Sequence, residues 1–224
     1  MPTATMSTTT TTTTTSPILK AYASTPHGQI HYRFSLPFPS HPSPSALPIL
    51  LLHMSASSSA SFTTLITTFT SLGYPCFAPD MPGFGSSFDP PYPSIPALSI
   101  PWYAAVFLSA FQPHPAFAAG CHIVGHHSGA VIGIEIARST PSFARSLTLE
   151  GPAILTASER AEMSTKFLSP FNRPVADGSH LVKMWEYVRA LGIPAGDLEL
   201  LQREALDHAR AWRGRTQIYG AVWG

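Results

Sequence analysis

The stretch Val124-Gly125-His126-His127-Ser128-Gly129-Ala130 decides the fold, because it joins a short apolar run to a run of helical character. The apolar run, Cys121 to Val124, is partly β-branched and bounded by glycines, which predicts a buried strand. The run from Ala130 to Ala137 places its larger apolar residues among small ones, which predicts a helix packed against a sheet. The sequence therefore predicts a strand that turns directly into a helix.

The glycine spacing indicates which residue stands at the apex of this turn. The backbone nearly touches itself there, so small residues are needed two positions before and two positions after the apex. Gly125 and Gly129 meet that need when His127 is the apex. With Ser128 as the apex, an imidazole and an alanine would flank it, so we favour His127. An ordinary turn carrying two solvent-facing histidines also fits the spacing.

Strand and helix signals alternate in the rest of the chain. Three further strands are predicted over Pro48–His53, Tyr74–Asp80 and Ala144–Glu150, and a Ser/Ala-rich helix after the first of them is predicted to end near Gly73. The Pro and Gly residues of Met81–Ser87 predict a sharp turn. Such alternation favours parallel crossover units and an α/β sheet covered by helices on both faces.

Three motifs in this order resemble those of the α/β-hydrolase fold superfamily, of the AB hydrolase-1 type. Leu50–His53 resembles the strand that leads to the family's oxyanion loop, Asp80–Ser87 resembles its D-x-x-G-x-G-x-S turn, and Val124–Ala130 resembles its nucleophile elbow. The elbow is similar to a subgroup that carries G-H-H-[ST]-G. The resemblance runs from about Ile18 to the C-terminus and implies a mostly parallel sheet flanked by helices.

The resemblance also divides the chain into three parts. Residues 1–17 are predicted to be a disordered Thr-rich tail, residues 18–152 the α/β-hydrolase core with an N-terminal hairpin over Lys20–Ser35, and residues 153–224 a partial helical cap. In the cap, helices are predicted after Ser179 and from Asp197. The family's last two strands are expected to be absent, which predicts a C-terminally truncated chain.

The resemblance implies roles for residues at the elbow and beside it. The backbone amide of Ser128 is the expected oxyanion donor, with the second donor at Met54, although the family usually has Gly there. Ser128 is also the alternative nucleophile. The strands ending at His127 and Glu150 are expected to be neighbours, so a His127–Glu150 catalytic pair is predicted at the carboxyl edge of the sheet.

Three further residues are predicted to line the pocket of this site. They are His53, His126 and Trp185, although a packing role for Trp185 on an apolar helix face is the simpler alternative. His53, like Asp80, is also expected to serve turn geometry.

The predicted function is that of a small-molecule hydrolase acting on an ester or related carbonyl substrate. The sequence does not support ordinary Ser-His-Asp catalysis, because no serine occupies the apex and no histidine follows at the family's late position. Two alternatives stay open. One is a non-catalytic ligand-binding pseudoenzyme, and the other is a truncated, inactive fragment whose last strand would be an unpaired edge.

Composition excludes several other classes of function. A formal net charge of +1 offers no electrostatic case for nucleic acid or an anionic membrane, and no apolar run is long enough for a membrane span. A cytoplasmic protein with a small-molecule ligand is expected, and Cys76 and Cys121 are predicted to be reduced core thiols. The histidine spacing offers no metal site, and no cofactor is predicted. The oligomeric state is not predictable from these residues.

Overall fold

One mixed sheet forms the centre of the computed structural model, which describes residues 16–38, 46–91, 99–168, 172–194 and 196–223. Within these ranges the sheet has six strands in the order β1-β2-β4-β3-β5-β6. The strands are β1 Leu19–Thr25, β2 Gly28–Ser35, β3 Ile49–Leu52, β4 Cys76–Pro79, β5 Cys121–His126 and β6 Ala144–Glu150. The first fifteen residues of the predicted Thr-rich tail lie outside the described residues.

The sheet is parallel from β4 through β3 and β5 to β6, and antiparallel where the predicted hairpin joins it. Pro26 and His27 connect β1 to β2, and β2 pairs with β4. Strands β3, β4, β5 and β6 confirm the four strand predictions, and β6 has the predicted bounds. The prediction of a mostly parallel α/β sheet is confirmed.

Apolar side chains of β3 alternate between two cores, so both faces of the sheet are buried. Leu50 and Leu52 belong to the larger core, whereas Ile49 and Leu51 belong to a smaller one on the other face. A strand that is covered on both faces needs apolar residues at every position, not at every second one. This is why the run from Ile49 to Leu52 is continuously apolar.

Three helices cover these two faces. They are α1 Thr63–Ser71, preceded by a 3₁₀ turn over Ser59–Phe62, α2 Ile100–Phe111 and α3 Ser128–Ser139. Helix α1 packs on the smaller core and confirms the helix predicted before Gly73. Helix α2 was not predicted from the sequence, because it is apolar on most sides and carries no periodic apolar stripe. Tyr103, Phe107 and Phe111 in α2 are fully buried.

In the described residues after β6 the chain forms four more helices: α4 Ala157–Phe167, α5 Ser179–Arg189, α6 Leu198–Arg210 and α7 Trp212–Trp223. The two predicted helices correspond to α5 and α6, and Asp197 caps α6 as expected. Gly178, in a left-handed conformation, is the N-cap of α5 in place of the predicted Ser179. Helix α4 was not predicted, although Thr156 and Glu159 form a capping box that signals its start. None of the described helices is long and apolar enough to cross a membrane.

Both edge strands of the sheet, β1 and β6, have many exposed side chains. Strand β6 forms one edge among the described residues, and most of its side chains are exposed.

Cys76 and Cys121 are buried free thiols, as predicted. Burial raises the pKa of the Cys76 thiol to about 11 and that of Cys121 to about 12, so both stay protonated at neutral pH.

Candidate functional site

His127 stands at the turn between β5 and α3 with φ 47° and ψ −112°. It is the one non-glycine residue with a positive φ in the described part of the chain. Such a conformation is costly for a side chain with a Cβ and persists only where the surrounding structure enforces it. The structure thus places His127 at a strained, exposed apex, which is the position that the glycine spacing predicts.

Gly125 and Gly129 are small because backbone from two other segments approaches them. A Cβ on Gly125 would lie 2.5 Å from the Cα of Ala130, and a Cβ on Gly129 would lie 2.1 Å from the carbonyl oxygen of Leu52. Neither neighbour is a flexible side chain that can move away. Ser128 is the first residue of α3 and not the apex. If it were the apex, the side chains of His126 and Ala130 would stand where the close contacts require glycine.

The side chain of Ser128 is buried, and its Oγ accepts a hydrogen bond of 2.8 Å from the Ser55 N–H. The backbone N–H groups of Ser128 and Met54 have no hydrogen-bond acceptor among the described residues. Unbonded N–H groups at the start of a helix attract negative charge. The sequence predicted these two amides as a pair, and the structure places both residues at one cavity.

The cavity has a volume of about 320 Å³ and opens beside His127. Met54, Ser55 and Ser128 contribute its polar wall from the loop after β3 and from the start of α3. A second, helical wall is formed by residues of α5, α6 and α7 and by Leu191 from the turn after α5; its members are Tyr187, Leu191, His208, Tyr219, Val222 and Trp223. A volume of this size is at the small end of ligand sites in proteins.

Sequence analysis missed the residues of the helical wall, above all His208. They lie 60 or more positions after the elbow in helices whose apolar stripes indicate only packing. His208 lies in α6, where it falls on the same helix face as the buried Leu201 and Glu204. A histidine on an otherwise buried face was the only signal that could have found it, and that pattern more often marks a packed core histidine.

His53 does not line the cavity, although it was predicted as a pocket residue. Its ring is fully buried, with Nδ1 donating to the Met54 carbonyl at 2.7 Å and Nε2 accepting from the Met81 N–H at 2.9 Å. Burial is the main reason that its pKa is lowered, so the ring is neutral at neutral pH. His53 therefore joins the loop after β3 to the turn after β4, which is the turn role that the sequence also predicted.

His126 and Trp185 likewise lie outside the cavity lining. The His126 ring is half-buried, 4.9 Å from the His127 ring between centroids. Trp185 packs against the small core between α5 and α6, so the packing alternative describes it. Of the two neighbouring histidines, His127 lines the cavity and His126 does not.

Glu150 and His127 are neighbours through their backbones. The His127 N–H donates to the Glu150 carbonyl at 2.8 Å, and the His127 ring lies against Gly151, whose Cβ position would be 3.3 Å from Nε2. No hydrogen bond joins the Glu150 carboxylate to the imidazole in the described residues. The two predicted partners are therefore brought together, but without the contact that would fix the imidazole tautomer.

The Glu150 carboxylate acts on His126 instead. Burial lowers the pKa of His126, and the charge of Glu150, its partner in the β5–β6 register, opposes that shift. We expect Glu150→Gln to lower the pKa of His126 further, as measured by NMR titration of the ring protons. Glu135→Gln, whose carboxylate pairs with Arg138 within α3, is the matched control and should leave that pKa in place. An unchanged pKa at His126 would mean that the carboxylate does not act on this ring.

The loop over residues 53–58 is held from both sides. Ser57 Oγ donates to Glu204 at 3.4 Å, and Ser58 Oγ donates to Asp207 at 2.7 Å, so α6 is tied to the loop that carries Met54. Burial and the nearby Glu204 and Asp80 raise the pKa of Asp207 to about 6, against the effect of the Ser58 hydrogen bond. The helical wall and the polar wall of the cavity are thus connected directly.

Asp80 organises the turn on the other side of this loop. Its carboxylate accepts from His31 Nδ1 at 2.7 Å, from the Ser59 N–H at 2.6 Å and from the Ser86 N–H at 2.8 Å. Burial by itself raises the pKa of Asp80, but these hydrogen bonds outweigh it and bring the pKa to about 2. A Cβ on Gly85 would lie 2.1 Å from this carboxylate, which accounts for the glycine.

No group of His, Cys, Asp and Glu side chains within the described ranges is arranged to hold a metal ion. The candidate site consists of His127, the amides of Ser128 and Met54, and the helical wall that includes His208.

Comparisons with known proteins agree with this architecture. A family model described as the alpha/beta hydrolase fold matches residues 48–186. No curated protein sequence matches the chain.

Several solved structures are similar in fold. The chain is 24% identical to the N-acyl homoserine lactonase AidH, with a TM-score of 0.66. The match covers 91% of this chain and 70% of the AidH chain. An epoxide hydrolase from Vigna radiata is 15% identical with a TM-score of 0.71, and the match covers 91% and 70% of the two chains. A hydrolase from Pseudomonas aeruginosa is 15% identical with a TM-score of 0.64, over 91% and 72%. These identities show a common fold and no more.

Proposed function

The chain belongs to the α/β-hydrolase fold family, and from that premise we propose that it hydrolyses a small ester or related carbonyl compound in the cavity beside His127. The observation that carries the proposal is the position of His127. Its imidazole is held at a strained apex that opens to the cavity, next to two backbone N–H groups without acceptors. Strain of this kind is retained where it serves a site.

The two amides support binding of a carbonyl oxygen. In the proposed complex the N–H groups of Ser128 and Met54 donate to that oxygen, and the N-terminus of α3 stabilises the negative charge that develops on it. Such stabilisation does not depend on the side chain at the apex. It favours a carbonyl substrate over the other substrates that this fold accommodates.

His127 acts as the general base in this proposal. One imidazole nitrogen takes a proton from water while the water oxygen bonds to the carbonyl carbon and the carbonyl electron pair moves to oxygen. When that pair returns, the bond to the leaving alcohol breaks, and the alcohol oxygen receives the proton from His127. Base catalysis of this type contributes about 10²–10⁴-fold in rate.

We expect His127→Ala to lower the turnover of a short-chain nitrophenyl ester about 100-fold or more, because it removes the base and leaves the amides. His122→Ala is the matched control, since it removes a histidine from the other end of the same strand, where the His122 ring hydrogen-bonds Ser146 and lies near the Tyr74 ring. That control should retain its turnover. Initial rates of the purified proteins, with circular dichroism to verify folding, make the measurement.

Ser128→Ala distinguishes the alternative nucleophile. The Ser128 Oγ is already engaged by the Ser55 N–H, so we expect this variant to lose less than about tenfold through its effect on the loop. Complete loss at Ser128 with activity retained in His127→Ala would reverse the assignment. Equal turnover of the wild type and His127→Ala would contradict the role of His127.

A second candidate function is non-catalytic binding of a carbonyl ligand. The observation that favours it is the missing hydrogen bond between Glu150 and the His127 ring, because an imidazole with no fixed tautomer is a poorer base. Saturable binding without turnover of any ester in a cooperatively folded sample would select this function over hydrolysis.

A further inference from the structure

His208 is part of the helical wall of the cavity, and its hydrogen bonding is asymmetric. Nδ1 is 2.8 Å from the carbonyl oxygen of Glu204, one turn earlier in α6. A carbonyl oxygen can only accept, so Nδ1 carries the proton in this contact. Nε2 has no hydrogen-bond partner among the described residues, and the ring borders the cavity.

The charge state of His208 follows from its surroundings. The side chain is buried, and this burial is the main reason that its pKa is lowered. Glu204 opposes the shift, through its carbonyl hydrogen bond and its charge, and Arg215 supports it. The ring is therefore neutral at neutral pH, and with the proton fixed on Nδ1 its Nε2 can only accept a hydrogen bond.

Two kinds of polar group at the cavity have a fixed hydrogen-bonding direction. The N–H groups of Ser128 and Met54 can only donate, and Nε2 of His208 can only accept. The tyrosine hydroxyl groups, the Ser55 hydroxyl and the His127 ring can do either, so they do not select between ligands. The apolar part of the helical wall is formed by Leu191, Val222 and Trp223.

We propose that the cavity selects carbonyl compounds that also carry a hydrogen-bond donor, an amide N–H or a hydroxyl, and that His208 Nε2 is the acceptor that recognises this donor. The proposal rests on the proposed function in one respect only, namely that the carbonyl group lies at the Ser128 and Met54 amides. It does not require turnover. A ligand without the donor would cover Nε2 without offering it a hydrogen bond, and this loss disfavours binding.

The test uses a pair of ligands that differ in one donor and do not hydrolyse readily. N-benzylacetamide carries a carbonyl, an N–H and an aromatic ring, and N-benzyl-N-methylacetamide lacks the N–H. Binding is measured by calorimetry on the full chain. We expect the first to bind about five- to tenfold more tightly, which is the range of one neutral hydrogen bond.

Two variants assign that preference to His208. His208→Leu removes the acceptor and should bind both amides equally, whereas His208→Gln retains an acceptor oxygen and should restore part of the preference. Thermal unfolding verifies that both variants are folded, and the Gln variant keeps the test valid if Leu is not tolerated. A wild type that binds both amides equally, or neither of them, would overturn the proposal, as would a preference that survives in His208→Leu.

The outcomes of this test and of the ester assay are separable. A donor preference that depends on His208, without ester turnover, would support the inference and contradict hydrolysis. Ester turnover that depends on His127, without donor preference, would support hydrolysis and contradict the inference.

Discussion

Replacing Gly129 with alanine is expected to destabilise the fold by about 3 kcal/mol or more, because overpacking here is against backbone. The new Cβ would lie 2.1 Å from the carbonyl oxygen of Leu52, a distance that real Cβ atoms do not show. Either α3 moves away from the end of β3 or the elbow opens. Both changes displace Ser128 from Ser55 and alter the cavity, so ligand binding should be lost together with stability. Urea unfolding measures the effect.

Gly133→Ala is the matched control for this prediction. Gly133 lies one turn later in α3, and its Cβ would meet side-chain carbons of Leu147 at 3.0 Å and Ile123 at 3.2 Å. Side chains yield by small rotations, and alanine is favoured over glycine within a helix by about 1 kcal/mol. We therefore expect a change of no more than about 1 kcal/mol. Similar destabilisation by both substitutions would show that the elbow contact is not special.

Asp80→Asn is expected to cost about 3 kcal/mol at neutral pH, because it breaks a buried polar network without changing its shape. The carboxylate accepts hydrogen bonds from His31, Ser59 and Ser86. An asparagine offers one acceptor oxygen, and its amide group brings a further donor to a site that already has three. At least one donor is left without an acceptor in a buried place, where this is costly. Chemical denaturation at neutral pH measures the loss.

The pH dependence provides a second signature of Asp80. Its pKa is about 2 in the folded chain, against 3.8 for an ordinary aspartate, so the folded state holds fewer protons in that interval. The resulting stability is present above the unfolded value and is lost as the pH falls toward the folded value. The shift corresponds to on the order of 2 kcal/mol. The free energy of unfolding of Asp80→Asn should therefore fall less steeply on acidification than that of the wild type.

Asp89→Asn is the control for both measurements. Asp89 is exposed and pairs with Arg210 at 2.9 Å, and exposed pairs contribute about 1 kcal/mol or less. Its pH profile should match that of the wild type. If Asp80→Asn and Asp89→Asn behaved alike, the buried network would not be the source of the stability at neutral pH.

Parts of the fold with an apolar periodicity of their own were predictable. Strands β3 and β6 and helices α5 and α6 were recognised because their apolar runs match the length or spacing of one element. Helix α2 was missed since it is buried on most sides, and α4 was missed since no side chain in it is buried. In both cases the amphipathic signal is absent, for opposite reasons.

The candidate site was predictable only at the elbow. Gly125 and Gly129 indicated the apex because a backbone contact leaves a requirement that is visible in sequence. His53 could not be separated from a pocket residue, because its two backbone partners are set by how β3 and the turn after β4 approach each other. The predicted contact between Glu150 and His127 depends on the direction of a side chain, which strand order does not fix.

By itself the sequence determined the family, the alternation of strands and helices and the position of His127, because these follow from local periodicity and from steric limits on a short segment. Only the tertiary structure decided which side chains share the cavity. His208 reaches it because α6 is tied to the loop after β3 through Ser57 and Ser58, more than 140 positions earlier in the chain. Contacts between such distant segments depend on the packing of whole helices, and no local pattern encodes them.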